Sequence, residues 1–158
     1  MEIVLHARLF RYLFIAFVLA FAIFLLAPRI SLAAELQFAP VTGSFAADTP
    51  FSVKIVLVPG SGEKVNAADG TIQYNQDVLE VTGISKDGSS FSLWTAEPSF
   101  SNSNGSIIFS GGTPTAFSSQ GTVLTVTFKG KAPGQGKMTF TKGSVLAADG
   151  KGTDVYKA

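Results

Sequence analysis

The amino-acid sequence predicts an all-β fold, a two-layer sandwich built from short strands. Several short segments alternate apolar and polar side chains with period two, as strands with one buried face do. Segments rich in Gly, Pro, Ser and Asn separate them at intervals of about ten residues. Beyond residue 33, apolar residues never follow the repeat of a helix without a Gly or Pro interrupting them.

The first 33 residues have the layout of a secretory signal. A basic start containing "RLFR" leads into the uncharged residues 12–27, and the small-residue ending "SLA" closes at Ala33. This order predicts a signal peptide, residues 1–33, that is cleaved after Ala33. The alternative is an uncleaved membrane anchor, although a spanning helix usually needs about 20 apolar residues. In either case we expect the rest of the chain to be exported, either secreted or held at the cell surface.

Residues 34–158 are predicted to form one domain, because 125 residues can bury a single core. This part has nine Lys against ten acidic residues and no Arg or His, so its formal net charge is −1. A nearly neutral domain without Arg lacks the basic surface that nucleic-acid binding needs. Cys is absent from the chain, and an exported domain of this length can be stable without disulfides.

The strand candidates follow in chain order, each with one apolar face. They are "FSVKIVLV", "GTIQY", "DVLEVTGI", "SIIFSG", "TVLTVTFK" and "KMTFTKGSVLA". In the first, Phe51, Val53, Ile55 and Leu57 are predicted to face the core, and in the fifth Leu124, Val126 and Phe128. The predicted turns between strands are "PGSGEK", "KDGSS", "SNSNG", "SGGTP" and "KAPGQGK".

The segment "AADG" occurs twice, at residues 67–70 and 147–150. The copies lie 80 residues apart and their flanks differ, which does not fit a structural repeat of about 20 to 50 residues. The second copy is predicted to open a turn near the end of the sandwich. The first lies at the head of "GTIQY", where Ile72 and Tyr74 have core parity. Asp69, Thr71 and Gln73 have the opposite parity and are predicted to point outward.

Catalysis is not expected. Without Cys or His, the exported part cannot form a Cys-His or Ser-His-Asp centre. A glycosidase needs two carboxylates that face each other across the bond to be cleaved, and no local spacing marks such a pair. A small envelope hydrolase that uses Glu80 or Glu97 remains the alternative from the class of enzymes.

No cofactor is expected, and calcium is the one metal that the sequence leaves open. Asp149 and Asp154 lie five residues apart in "DGKGTD". An EF-hand loop would carry Asp or Asn at its third and fifth positions and end in Glu, whereas Lys151 and Thr153 stand there. A Gly-containing turn is therefore the favoured interpretation, with a weak calcium site as the alternative.

Carbohydrate binding would need exposed aromatic rings on which sugars stack. The exported part has one Trp, Trp94, and its flanking residues Phe91 and Leu93 are apolar. A buried or half-buried Trp94 is favoured because large aromatic side chains dominate burial in cores. A carbohydrate-binding module with Trp94 as its stacking residue stays the alternative from the class of binding domains.

The run "VNAADGTIQYNQDVLEVTGIS" resembles the cohesin domain, in which a strand ending in Tyr, a short polar turn and a "VLEV"-like strand follow one another. "GSIIFSGG", "GTVLTVTFKGKAPG" and "MTFTKGSVLAADGKGTDV" continue the resemblance in order, and "LQFAPVTGSFAADTPFSVKIVL" is similar to the family's opening segment. The resemblance covers residues 35–155. The turn differs from the family's pattern, since it reads "NQD" where Pro is usual.

The resemblance implies a jelly-roll sandwich of about nine strands, related to cellulose-binding modules. It implies a non-catalytic module that binds a dockerin-like protein or a glycan, in cell-surface assembly or polysaccharide degradation. The binding surface would be a sheet face. The family's contacting acid, five residues before the turn Tyr, corresponds to Asp69, and outward parity adds Thr71 and Gln73.

Overall fold

The computed structural model describes residues 33–157, which form eight β-strands and no helix. The strands are divided equally between two sheets that pack face to face. Their bounds are β1 Glu35–Ala39, β2 Pro50–Val58, β3 Val65–Tyr74, β4 Leu79–Ser85, β5 Leu93–Ser101, β6 Ser106–Phe117, β7 Gly121–Gly130 and β8 Met138–Ala147. None of the described residues belongs to a helix that could cross a membrane. The predicted signal segment lies outside the described residues except for Ala33.

Each sheet has four antiparallel strands. The first has the order β1-β2-β7-β4 and the second the order β5-β6-β3-β8. The all-β sandwich predicted from sequence is therefore confirmed, with eight strands where about nine were expected.

The closing segment 153–157 pairs with the rest of the sandwich without forming a ninth strand. Leu146 pairs with Asp154 and Ala34 with Tyr156, each as an isolated bridge. The Val155 N–H donates to Val145 O on β8, while Val155 O accepts from the Ala34 N–H, beside β1. Because the segment leaves one sheet for the other after so few residues, it forms no continuous ladder with either.

The core consists of the inward side chains of both sheets, as the alternation predicts. Phe109 and Phe128 are the largest of the fully buried side chains. Tyr74 is also buried, and its ring meets that of Phe128 edge-on with centroids 5.5 Å apart. The predicted inward residues of β2 and β7 are buried except for the half-buried Phe51.

Two segments form strands although one was predicted as a turn and the other was left unassigned. The predicted turn "SGGTP" lies inside β6, where its glycines allow neighbouring strands to pack closely. A Cβ on Gly112 would lie 2.6 Å from Asn66 O, and one on Gly111 would lie 2.8 Å from Leu93 O. The prediction also missed β5, a largely exposed edge strand that contains Pro98, which edge strands tolerate.

The two "AADG" copies have different structures. The first lies in the interior of β3, which begins at Val65 and not at Gly70 as predicted. The second follows β8 as a bend in which Gly150 has a φ of +70°, so the predicted turn is confirmed. Gly can adopt this left-handed conformation without the steric cost that a Cβ imposes.

Candidate protein-binding face

The predicted partner-binding residues lie together on the solvent side of the second sheet. Asp69, Thr71 and Gln73 occupy alternate positions of β3, with buried or inward neighbours between them. Because β3 is flanked by β6 and β8, these side chains lie on an inner strand of the sheet, away from its edges. The predicted outward parity is confirmed.

The strand register defines this surface, which we call the β3 face. Its members are the outward residues of the second sheet in three rows across the strands. The rows are Ala96–Ser110–Asp69–Ser144, Ser99–Ile108–Thr71–Lys142 and Ser101–Ser106–Gln73–Thr139. Neighbouring strands lie about 4.8 Å apart and successive rows about 7 Å apart, so the face is broad.

Asp69 is the acidic residue of the first row, and its environment favours the protonated form more than water would. Partial burial raises the pKa of the Asp69 carboxyl above its ordinary value, and the negative charge of Asp154 raises it further. Asp154 follows β8 in the closing segment, where the Tyr156 N–H holds the pKa of its carboxyl below the usual range. Asp69 therefore offers hydrogen-bond acceptors whose ionised form a positively charged or donating partner would stabilise.

Gln73 and Thr71 are held by contacts with neighbouring strands and turns. Gln73 Nε2 donates to Asn104 O in the β5–β6 turn. Thr71 O accepts a hydrogen bond of 3.2 Å from the hydroxyl of Thr141 on β8. These bonds fix the backbone and one side chain of the face before any partner arrives, so binding loses less conformational freedom.

Ile108 is a residue of the β3 face that was not predicted from the sequence. It lies in the middle row beside Thr71, and 51% of its surface is exposed. The signal was present in "SIIFSG", where Ile107 and Phe109 have core parity and Ile108 therefore points outward.

Trp94 lies near one end of β5 with its ring turned toward the sandwich. It is half-buried and meets Phe91 edge-on with ring centroids 5.9 Å apart. Lys86 Nζ lies 5.7 Å from the centroid of the Trp94 ring and forms a 2.6 Å ion pair with Glu97. This packing favours a core role for Trp94 over the alternative of a sugar-stacking residue.

The two acidic residues of the hydrolase alternative lie on different sheets. Glu80 is on β4 and pairs with Lys129 of β7 across the first sheet. Glu97 is on β5 of the second sheet and is engaged by Lys86. The structure does not bring them together as a pair of facing carboxylates.

The acidic residues of the "DGKGTD" loop bind the loop's own backbone and side chains. Asp149 accepts hydrogen bonds from the Lys151 N–H, at 2.8 Å, and from the Thr153 hydroxyl, which is the main cause of the lowered pKa of the Asp149 carboxyl. Asp154 Oδ1 accepts from the N–H groups of Val145 and Tyr156 at 3.1 and 2.9 Å. Among residues 33–157, no three acidic, His or Cys residues form a group that could hold a metal ion.

We expect millimolar calcium chloride to leave the melting temperature of the protein unchanged. The carboxylates of Asp149 and Asp154 would have to give up their present hydrogen bonds in order to coordinate the ion. Thermal unfolding followed by circular dichroism, with calcium and with a chelator, checks this. A rise in melting temperature with calcium that Asp149→Asn abolishes would instead establish a site in this loop.

A family model for the cohesin domain matches residues 35–158. The chain belongs to the cohesin family. The match spans all eight strands and the whole β3 face, so the family resemblance inferred from the strand order is confirmed. Cohesins are non-catalytic modules, and the family assignment confirms that prediction as well. No curated protein matches the chain at a significant level.

Solved cohesin structures share the fold at low sequence identity. A cohesin–dockerin complex containing the OlpA cohesin of Clostridium thermocellum aligns with a TM-score of 0.56 and 16% identity, covering 78% of this chain and 92% of that chain. The cohesin module of a family 33 glycoside hydrolase from Clostridium perfringens aligns with a TM-score of 0.60 and 12% identity, covering 82% and 92%.

A third similar structure comes from Acetivibrio cellulolyticus. It contains the third cohesin of ScaC in complex with the ScaB dockerin, whose C-terminal helix carries an Ile-Asn to Ser-Ile mutation. The alignment has a TM-score of 0.54 and 19% identity, and it covers 78% of this chain and 94% of that chain. At these identities the comparisons establish the sandwich fold of the cohesin domain.

Proposed function

We propose that this cohesin is a docking module that binds a dockerin-like protein through the β3 face, with Asp69, Thr71 and Gln73 in contact. The observation that carries the proposal is the position of Asp69. It is an outward carboxylate on an inner strand of the second sheet, in a chain of the cohesin family. Two of the similar structures are cohesins in complex with dockerins.

The chemistry of the β3 face supports protein recognition. Most of its outward side chains are small and polar, so a partner can approach the strands closely. Asp69 and Lys142 supply charges of opposite sign in adjacent rows. A partner with the complementary charges is therefore favoured in one orientation on the face. Ile108 adds an apolar contact near the centre, as is typical of protein interfaces.

We also propose that the module acts outside the cytoplasm, secreted or anchored at the cell surface, in an assembly that degrades polysaccharides. The N-terminal segment, with its secretory layout, supports export. A similar module forms part of a family 33 glycoside hydrolase in Clostridium perfringens, which supports a link to carbohydrate-active enzymes. Fractionation of the producing cells with an antibody to the domain tests the location.

Asp69→Ala is expected to weaken dockerin binding by about 1–3 kcal/mol, because it removes an acceptor from a contact that excludes water. The measurement is isothermal calorimetry of the full chain, in a mild detergent, against the dockerins of the Clostridium thermocellum and Acetivibrio cellulolyticus complexes. Asp87→Ala is the matched control, since Asp87 is an exposed acid in the turn between β4 and β5.

Two results would contradict the proposal. One is an unchanged dissociation constant for Asp69→Ala with a dockerin that binds the wild type, which would remove Asp69 from the site. The other is retention of the full chain on cellulose that is lost with Trp94→Ala, which would favour the carbohydrate-binding alternative.

A further inference from the structure

We propose that Asn104 is a site of spontaneous chemical modification in the folded protein. Its side-chain amide is hydrolysed by way of a cyclic imide formed with the backbone nitrogen of Gly105. One of the two products loosens the turn that supports the Gln73 end of the β3 face. The site lies in the turn between β5 and β6, which residues 102–105 form. This chemistry is independent of the proposed function, because it concerns only the covalent structure of the turn.

Asn104 is the one asparagine of this chain that is followed by glycine. The chain has four asparagines, and the other three precede Ala67, Gln76 and Ser103. The imide forms when the next backbone nitrogen attacks the side-chain amide, and the Cβ of that next residue hinders the approach. Glycine has no Cβ, so the local sequence makes Asn104 the most reactive of the four.

The fold requires the glycine at position 105. Gly105 has a φ of +64°, in the left-handed region where a Cβ is costly. A Cβ built there would also collide with Tyr74 O and would lie 3.1 Å from Gln73 Nε2. The geometry of the turn therefore imposes the reactive Asn-Gly bond, because a larger residue after Asn104 does not fit.

The side chain of Asn104 is placed for the reaction. Asn104 is exposed, so water reaches its amide and the released ammonia has a free path. The Ser106 hydroxyl donates a hydrogen bond of 2.6 Å to Asn104 Oδ1. Negative charge develops on this oxygen when the Gly105 nitrogen adds to the amide carbon, so a donor aimed at the oxygen stabilises the transition state.

The other asparagines in turns are held in a different way. Asn102 bonds through both of its side-chain polar atoms to the backbone of Val81. Asn75 Nδ2 donates to Gln135 O at 3.5 Å, and Asn75 Oδ1 accepts from the Asp77 N–H at 3.1 Å. Hydrogen bonds from Nδ2 hold the amide in place and oppose its release, because they are lost when the nitrogen leaves.

The reaction consumes one water molecule and releases ammonia. The Gly105 nitrogen gives its proton to a solvent base and bonds to Asn104 Cγ, and the bond from Cγ to Nδ2 breaks as ammonia leaves with a proton from water. Water then opens the cyclic imide at either carbonyl. Opening at Cγ restores the ordinary chain and gives aspartate. Opening at the backbone carbonyl gives isoaspartate, in which the chain runs through Cβ and Cγ.

Both products change the Gln73 end of the β3 face. Aspartate adds a negative charge next to Gln73, whose Nε2 donates to the backbone oxygen of residue 104. Isoaspartate also adds a main-chain carbon to a turn whose Gly105 O accepts from the Tyr74 N–H at 2.8 Å. The longer chain displaces these bonds to β3, so the isoaspartate form is less stable than the original.

The test follows residue 104 by peptide mapping and mass spectrometry while the full chain is kept in mild detergent at mildly alkaline pH. Conversion of Asn104 is expected to outpace that of Asn102, the internal control in the same turn, and to accelerate as the pH rises. An isoaspartyl methyltransferase should label the peptide that contains residue 104 in the wild type and not in Asn104→Gln. Ser106→Ala is expected to slow the conversion severalfold in the folded protein and to leave it unchanged in urea.

Asn104→Asp is the matched control for the aged protein, because it carries the new charge without the longer main chain. The isoaspartate form is expected to melt below Asn104→Asp, and equal melting temperatures would overturn the loosening of the turn. If Asn104 stayed intact in the folded chain while the urea-unfolded chain was converted, the turn would protect the amide and the site would be refuted. Equal rates for folded wild type and Ser106→Ala would overturn the role of the hydroxyl, and thermal melts verify that each variant is folded.

Discussion

Asn102→Ala is expected to lower the free energy of unfolding by roughly 3 kcal/mol, although Asn102 lies in an exposed turn. Its side chain connects the two sheets. Asn102 Oδ1 accepts from the Val81 N–H at 2.8 Å and from the Tyr74 hydroxyl at 2.6 Å, and Asn102 Nδ2 donates to Val81 O at 2.9 Å. Val81 is buried, so the alanine variant leaves its N–H and C=O without these partners, and the Tyr74 hydroxyl keeps only its 3.3 Å bond to Ser101 O.

Urea denaturation followed by fluorescence measures the loss. Asn102→Asp keeps the Oδ1 acceptor but replaces the Nδ2 donor with a carboxylate oxygen that faces Val81 O, so a substantial loss of stability is expected for this variant as well. Ser103→Ala is the control in the same turn, because the Ser103 hydroxyl contacts only that of Ser101, at 2.9 Å, and its removal should cost less than about 0.5 kcal/mol. If Asn102→Ala were as stable as Ser103→Ala, the connection between the sheets would contribute nothing to stability.

Most of the sandwich could be predicted because its strands have one buried and one solvated face. The alternation in β2 and β7 identified most of the inward residues, and Tyr74 and Ile72 were assigned to the core by the same parity. It missed Val56 and Val123, which have outward parity but are buried beside a register shift between β2 and β7. Turns with Gly at positive φ, such as those at Gly62 and Gly88, were also predicted. In each case a local pattern reports the environment of the side chain directly.

Prediction from the sequence failed where long-range packing decides the conformation. The glycines of "SGGTP" indicated a turn, but they are needed because neighbouring backbones approach β6 closely. Strand β5 lacks alternation because its register with β6 shifts twice, between Trp94 and Ala96 and between Ala96 and Ser99, and each shift interrupts the period of two. The inter-sheet role of Asn102 depends on residues 21 and 28 positions away, and no local pattern encodes that.

The candidate site could be predicted in part. Outward parity placed Thr71 and Gln73 beside Asp69, whose role the family resemblance implied. The same parity rule, applied to "SIIFSG", would have added Ile108. The proximity of Asp154 to Asp69 could not have been predicted, because it arises only when the closing segment folds back along β8.

The first "AADG" segment contributes to both faces of β3. Asp69 points outward to the β3 face, whereas the next residue, Gly70, points to the core. A Cβ built on Gly70 would lie 2.6 Å from the ring of Phe109, one of the largest fully buried side chains. Glycine at this position therefore makes room for the aromatic ring directly beneath the proposed binding surface.

Gly70→Val is expected to lower the free energy of unfolding by roughly 3 kcal/mol, because the new side chain and the Phe109 ring cannot both fit in a closely packed core. Thermal and urea unfolding of the full chain measure the loss. Phe109→Leu alone is also destabilising, since it removes buried apolar volume. The double variant should be more stable than the two separate losses predict, because the smaller leucine leaves space for the valine.

Gly83→Val is the matched control in β4, where a Cβ would have no heavy atom within 4 Å. It should change the stability by less than about 1 kcal/mol, since β-branched residues suit strands. Equal losses for Gly70→Val and Gly83→Val would show that the backbone freedom of glycine, and not the space it leaves for Phe109, matters at Gly70. If the loss of unfolding free energy in the double variant equalled the sum of the two single losses, it would contradict a steric conflict between a side chain at residue 70 and the Phe109 ring.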